Sequence, residues 1–115
     1  MSERSERTFN TATIGTHVLD AVAGVPAAGI AVVLSRDTEV LGSATTDADG
    51  RIAALGAALP SGTYRLMFDT GAYFAERGME TFYPEVAITF VVIEERHYHV
   101  PLLLSPFAFS TYRGS

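Results

Sequence analysis

Residues 62–69 (GTYRLMFD) set Tyr64, Leu66 and Phe68 against Thr63, Arg65 and Met67 in strict alternation. A strand turns successive side chains to opposite faces, so this segment reads as a half-buried strand with one apolar side. Further β-branched or aromatic runs occupy 13–20, 30–35, 40–45, 52–55, 86–93, 97–104 and 107–112, separated by Gly, Pro, Asp and Ser. Short strands punctuated in this way predict an all-β sandwich of eight strands. The interval 71–81 departs from the pattern, because Tyr73, Phe74, Arg77 and Glu80 recur at spacings of three and four. That period predicts one short helix.

The breaks carry their own expectations. Gly24-Val25-Pro26 should end the first strand, since glycine admits unusual dihedrals and proline cannot donate to a ladder. Asp47-Ala48-Asp49-Gly50 should form a tight turn in which carboxylates cap their own backbone, with Arg51 held directly after it. The run 86–93 (VAITFVVI) reads as a strand buried on both faces, one in the core and one at a subunit contact. Pro101 predicts an edge position or a bulge within 97–104.

A chain of 115 residues is long enough for one packed domain. The polar stretch 1–10 reads as a flexible tail and 11–115 as the sandwich domain. With 48% hydrophobic and 18% charged residues the chain is far from disordered compositions. The apolar excess is high for a small monomer and predicts an oligomer. Cysteine is absent, which excludes disulfides, thiolate metal sites and cysteine nucleophiles. A formal charge of -5 has the wrong sign for nucleic acid or an anionic membrane. The charged first residues lack the apolar core of a signal peptide, and no apolar run reaches the roughly 18 residues of a membrane span. A cytoplasmic location is expected.

The chain has three histidines, His17, His97 and His99, all in predicted strands. His97 and His99 share a face, and a surface that also held His17 would carry an imidazole cluster. Each could equally be a hydrogen-bonded filler. Three histidines also raise a zinc site, but no acidic residue is evidently placed to support the ligands. Arg51 could present its fork to a carbonyl or carboxylate, or pair with Asp47 or Asp49 in solvent. No Gly-x-Ser-x-Gly elbow occurs, and Ser105, lying before a proline, has no evident base beside it. The C-terminus runs from apolar Phe107-Ala108-Phe109 into Tyr112-Arg113-Gly114-Ser115, an end that should be docked, unless Tyr112 is simply the last core aromatic.

Thr16-His17-Val18-Leu19-Asp20, Thr46-Asp47-Ala48-Asp49-Gly50-Arg51, His97-Tyr98-His99-Val100-Pro101-Leu102-Leu103-Leu104-Ser105-Pro106 and the terminal Tyr112-Arg113-Gly114-Ser115 together resemble the transthyretin-related 5-hydroxyisourate hydrolase family. The resemblance spans about residues 14–115, and the terminal tetrapeptide is the signature that separates the enzymes from transthyretin. It implies a prealbumin-like sandwich, a homotetramer built as a dimer of dimers with sites where dimers meet, and neither metal nor cofactor. It implies hydrolysis of 5-hydroxyisourate to 2-oxo-4-hydroxy-4-carboxy-5-ureidoimidazoline. By the same resemblance His17, Arg51, His99 and Ser115 are catalytic, with Tyr112, Arg113 and Gly114 binding the ring alongside His17 and Arg51. His97 is left as a supporting neighbour. The alternatives are a carrier of small ligands that performs no chemistry, and a purely structural sandwich.

Overall fold

The computed structural model describes residues 9–114. Along the chain lie β1 (Thr13–Asp20), β2 (Val25–Pro26), β3 (Ala31–Arg36), β4 (Glu39–Thr45), β5 (Arg51–Ile52), β6 (Gly62–Phe68), α1 (Thr70–Glu76), β7 (Val86–Val92), β8 (His97–Ser105) and β9 (Ala108–Thr111). One sheet has the order β2-β1-β8-β9, with β5 sharing the β2 edge of β1, and the other has the order β4-β3-β6-β7. β1 and β8 run parallel, from Thr13 opposite His97 to Asp20 opposite Leu104, while every other named pairing is antiparallel.

Period-two patterning decides which side chains meet between the sheets. Ile14, Thr16 and Val18 of β1 and Tyr98, Val100, Leu102 and Leu104 of β8 are buried, facing a core that includes Val32, Leu34, Tyr64, Leu66 and Phe68. Each large apolar side chain so buried contributes about 1.5–3 kcal/mol. Because the even-numbered residues of β1 and β8 are committed to the core, His17, His97 and His99 all face outward. No helix among the described residues is long and apolar enough to cross a membrane.

The helix is shorter than its sequence pattern. Asp69 caps it by accepting from the Ala72 N–H at 3.2 Å. It ends where Gly78, at φ +68°, lets the Gly78 and Met79 amides donate back to Ala75 and Phe74, a Schellman closure that stops the helix before Thr81. The Tyr73 hydroxyl donates to Asp20 Oδ2 at 2.7 Å, and Asp20 Oδ1 accepts from the Val22 and Ala23 amides, so the helix is tied to the end of β1. Burial pulls the Asp20 carboxyl upward, but those three donors and the Arg77 charge outweigh it and hold the group below its ordinary value. Burial and the bond to Asp20 push Tyr73 up to about 12.

Two local expectations are corrected, at Pro26 and at Pro101. Val25 and Pro26 do not end pairing but form β2, opposite Asp20 and Leu19. This two-residue strand is additional to the eight expected; its proline is exposed at the sheet edge, where a missing donor is tolerated. In the single chain β7 covers one face, with Val86 and Val92 buried and Ile88 and Phe90 half-buried, and leaves Ala87, Thr89 and Val91 exposed on the face expected at a subunit contact. Pro101 is buried in β8, which lies between β1 and β9 rather than at the sheet edge and carries no bulge, but the β8–β9 ladder stops at Leu102 opposite Thr111, so the missing donor faces no paired residue.

Candidate active site

Two strand alignments and one turn bring the polar side chains together. In β1, His17 stands opposite Pro101 of β8 and opposite Arg51 of β5, so one residue pairs across both of its edges. Gly15 stands opposite His99. The His17 and His99 ring centroids lie 6.5 Å apart with planes inclined by 41°. The two rings are too far apart to stack closely and near enough to act on one small molecule between them.

Arg51 reaches this face because its turn is locked onto β1. Asp47 Oδ1 accepts from the Asp49 and Arg51 amides at 2.9 Å, and the Asp47 amide donates to the Arg51 carbonyl at 3.0 Å. Gly50 adopts φ +73°, and its carbonyl accepts from the Val18 amide at 2.7 Å. A Cβ at this position would run into the Val18 carbonyl oxygen, so only glycine fits. The Asp47 carboxylate is thus used on backbone, and no ion pair joins Arg51 to Asp47 or Asp49.

His99 is half-buried. Burial first, then the positive field of Arg51 and the neighbouring His17 and His97, hold its imidazole below the ordinary value of 6.5. A histidine so placed is neutral near pH 7 and has a lone pair available.

His97 has a different setting. Its Nδ1 lies 2.7 Å from Thr13 Oγ1, and its ring covers Gly15, where a Cβ would come within 3.0 Å of Cε1 and Nε2. The three imidazoles do not converge, and among the described residues no group of three or more His, Cys, Asp or Glu side chains could hold a metal ion.

The C-terminal segment reaches the same neighbourhood. Gly114 is buried, and its amide donates to the His99 carbonyl at 2.8 Å. Tyr112 is 60% exposed, which excludes the reading of it as a core aromatic. Ser115 lies outside the described residues. A cavity of about 290 Å³ between β7 and β9 touches Phe90, Val100, Tyr112 and Arg113 but no histidine, so the imidazole cluster is an open surface rather than part of that cavity. Two threonines were not singled out by sequence: Thr16 Oγ1 donates to the Val100 carbonyl and Thr111 Oγ1 to the Pro101 carbonyl, each at 2.7 Å. Only the register of the strands reveals that they flank His99.

Two stacked sheets with one short helix make the fold a transthyretin-like sandwich. The chain belongs to the HIUase/Transthyretin family, whose model matches residues 14–114. It is similar to the 5-hydroxyisourate hydrolase of Salmonella typhimurium, 46% identical over 110 residues that cover 89% of this chain and 80% of that one. The structure of Klebsiella pneumoniae 5-hydroxyisourate hydrolase matches at a TM-score of 0.86 and 45% identity, covering 93% of this chain and 96% of that one. Transthyretin from Sparus aurata matches at a TM-score of 0.83 and 34% identity, covering 88% and 95% of the two chains.

Proposed function

We propose that the protein is an enzyme of urate degradation that hydrolyses 5-hydroxyisourate to 2-oxo-4-hydroxy-4-carboxy-5-ureidoimidazoline. The observation that carries this reading is the pairing of His17 with Arg51 in register, with the His99 ring 6.5 Å from that of His17. Similarity to hydrolases over most of the chain supports it.

Opening a cyclic amide requires water to attack the carbonyl carbon, an oxyanion to be carried through the tetrahedral intermediate, and the ring nitrogen to take a proton as the C–N bond breaks. His99, kept neutral by burial and by Arg51, is the general base that removes the water proton, a role worth about 10²–10⁴-fold. Arg51, fixed by its turn, stabilises the oxyanion. The protonated His99 then gives that proton to the departing nitrogen, which restores the neutral imidazole, while His17 holds the substrate. Tyr112, Arg113 and Gly114 bound the ring, and Ser115 is assigned a catalytic part by the family resemblance alone.

The site faces outward on a single chain, so a second copy must cover it to exclude water. The same reading therefore includes a homotetramer, a dimer of dimers whose channel lies over the β1–β8 face. Support comes from the edge strands β7 and β9, around which Val91, Ile93, Phe107, Phe109 and Tyr112 are exposed.

The test is to generate 5-hydroxyisourate from urate with urate oxidase and follow its ultraviolet decay with the wild-type protein, His99→Ala and His17→Ala. Acceleration by the wild type and a loss of two or more orders of magnitude in both variants is the expected result. Decay at the spontaneous rate in the presence of wild type would remove the hydrolase reading in favour of a small-ligand carrier.

A further inference from the structure

We infer that Thr111 is a positioning residue, whose hydroxyl sets the path of the C-terminal segment beside His99; the inference rests on the hydrolase reading above for its catalytic consequence. β8 and β9 are antiparallel, with Leu102 opposite Thr111, Leu103 opposite Ser110 and Leu104 opposite Phe109. Carried one step further, this register sets Pro101 opposite Tyr112, and three steps further it sets His99 opposite Gly114, where the bridge is observed.

The Gly114 amide donates to the His99 carbonyl, so the backbone polar groups of His99 face the C-terminal strand. In an extended chain the groups of alternate residues face the same way, so the polar groups of Pro101 also face that strand. At Pro101 the donor is missing. A ladder pair is therefore lost between β9 and the Gly114 bridge, and β9 ends at Thr111. Tyr112 and Arg113 are released from pairing and Gly114 then rejoins in the same register.

The carbonyl of Pro101 is not left without a partner. Thr111 Oγ1 donates to it at 2.7 Å, so a side chain takes the place of a backbone donor at the point where the chain departs. On the opposite edge of β8, Thr16 Oγ1 donates to the preceding carbonyl, Val100, also at 2.7 Å. Two consecutive carbonyls after His99 are thus held by hydroxyls from the two neighbouring strands. Thr16 belongs to the strand carrying His17, and Thr111 directly precedes Tyr112. Without the Thr111 hydroxyl, the Tyr112–Arg113 excursion has only the Gly114 bridge to hold its far end.

The test compares Thr111→Val, which keeps the branched shape and removes the hydroxyl, with Thr111→Ser, which keeps the hydroxyl. Two readouts are taken on the full chain: amide hydrogen exchange at Gly114 without substrate, and kcat/KM for 5-hydroxyisourate. Thr111→Val is expected to exchange about five- to tenfold faster at Gly114 and to lose about tenfold in kcat/KM, as loss of one hydrogen bond allows. Thr111→Ser should restore both. Wild-type exchange and wild-type kcat/KM in Thr111→Val would overturn the inference, and so would equal losses in the two variants, which would trace the effect to packing of the methyl group. If the wild-type protein shows no turnover, the hydrolase reading fails, and the exchange arm still decides whether Thr111 holds the segment.

Discussion

Gly114 lies flush against His99. Its amide donates to the His99 carbonyl at 2.8 Å, and a Cβ at 114 would stand 2.6 Å from Cδ2 of the imidazole and 3.1 Å from Cγ. The His99 Cβ would also lie only 3.1 Å from the added carbon, so turning the ring does not by itself clear the contact. Glycine at 114 is thus a packing requirement of the imidazole it adjoins.

Gly114→Ala is accordingly expected to push either the ring or the terminal segment out of place. A displacement of about 1 Å in a catalytic constellation costs on the order of 10²-fold in rate. The expected outcome is a loss of that order in kcat/KM with far-ultraviolet circular dichroism unchanged. An alanine variant with wild-type kinetics would show that neither group is held as described.

The field at His99 makes a second prediction. Burial and then the charge of Arg51 hold its imidazole below the ordinary value of 6.5, so it gains its proton at a lower pH than a free histidine does. The acid limb of kcat/KM should therefore lie below pH 6.5. Arg51 contributes to this depression after burial, and Arg51→Gln should move the His99 titration, followed by NMR of its ring protons, upward toward 6.5. A titration unmoved by Arg51→Gln would sever the proposed link between the two side chains. The stability sign agrees: a depressed folded value means this histidine's contribution is present above the unfolded value and lost as the pH drops through the folded one.

A third prediction concerns the far end of β1. Tyr73→Phe removes a donor from the buried Asp20 carboxylate and should lower stability by about 1–3 kcal/mol in urea titration. Since Asp20 is held below its ordinary value, this contribution is present at neutral pH and is lost as the pH falls through the folded value. The deficit of Tyr73→Phe relative to wild type should shrink in strong acid. A deficit independent of pH would assign the effect to packing against Phe74.

Strand existence was legible because alternation is local. The pattern of Tyr64, Leu66 and Phe68 needs no partner to be read, and the same holds for the core residues of β1 and β8. Pro101 is the complementary case. A proline is costly only if its missing donor faces a paired neighbour, and that the β8–β9 ladder stops at Leu102 opposite Thr111 is not visible in the local pattern around Pro101. The helix end is intermediate: periodicity extends past Gly78, but the left-handed glycine closes the helix first.

The sandwich, the shared face of His97 and His99, the Asp-Gly turn before Arg51 and the family resemblance of the terminal residues can be read from the chain alone, because each rests on local pattern. Only the tertiary structure decided that β1 runs parallel to β8 with Gly15 opposite His99, that Arg51 lies opposite His17, and that Gly114 returns to the His99 backbone. Those alignments join residues 84, 34 and 15 positions apart, and the choice among registers is made by which apolar faces can be buried together. Local pattern names the faces, and the shared core decides which residues meet across them.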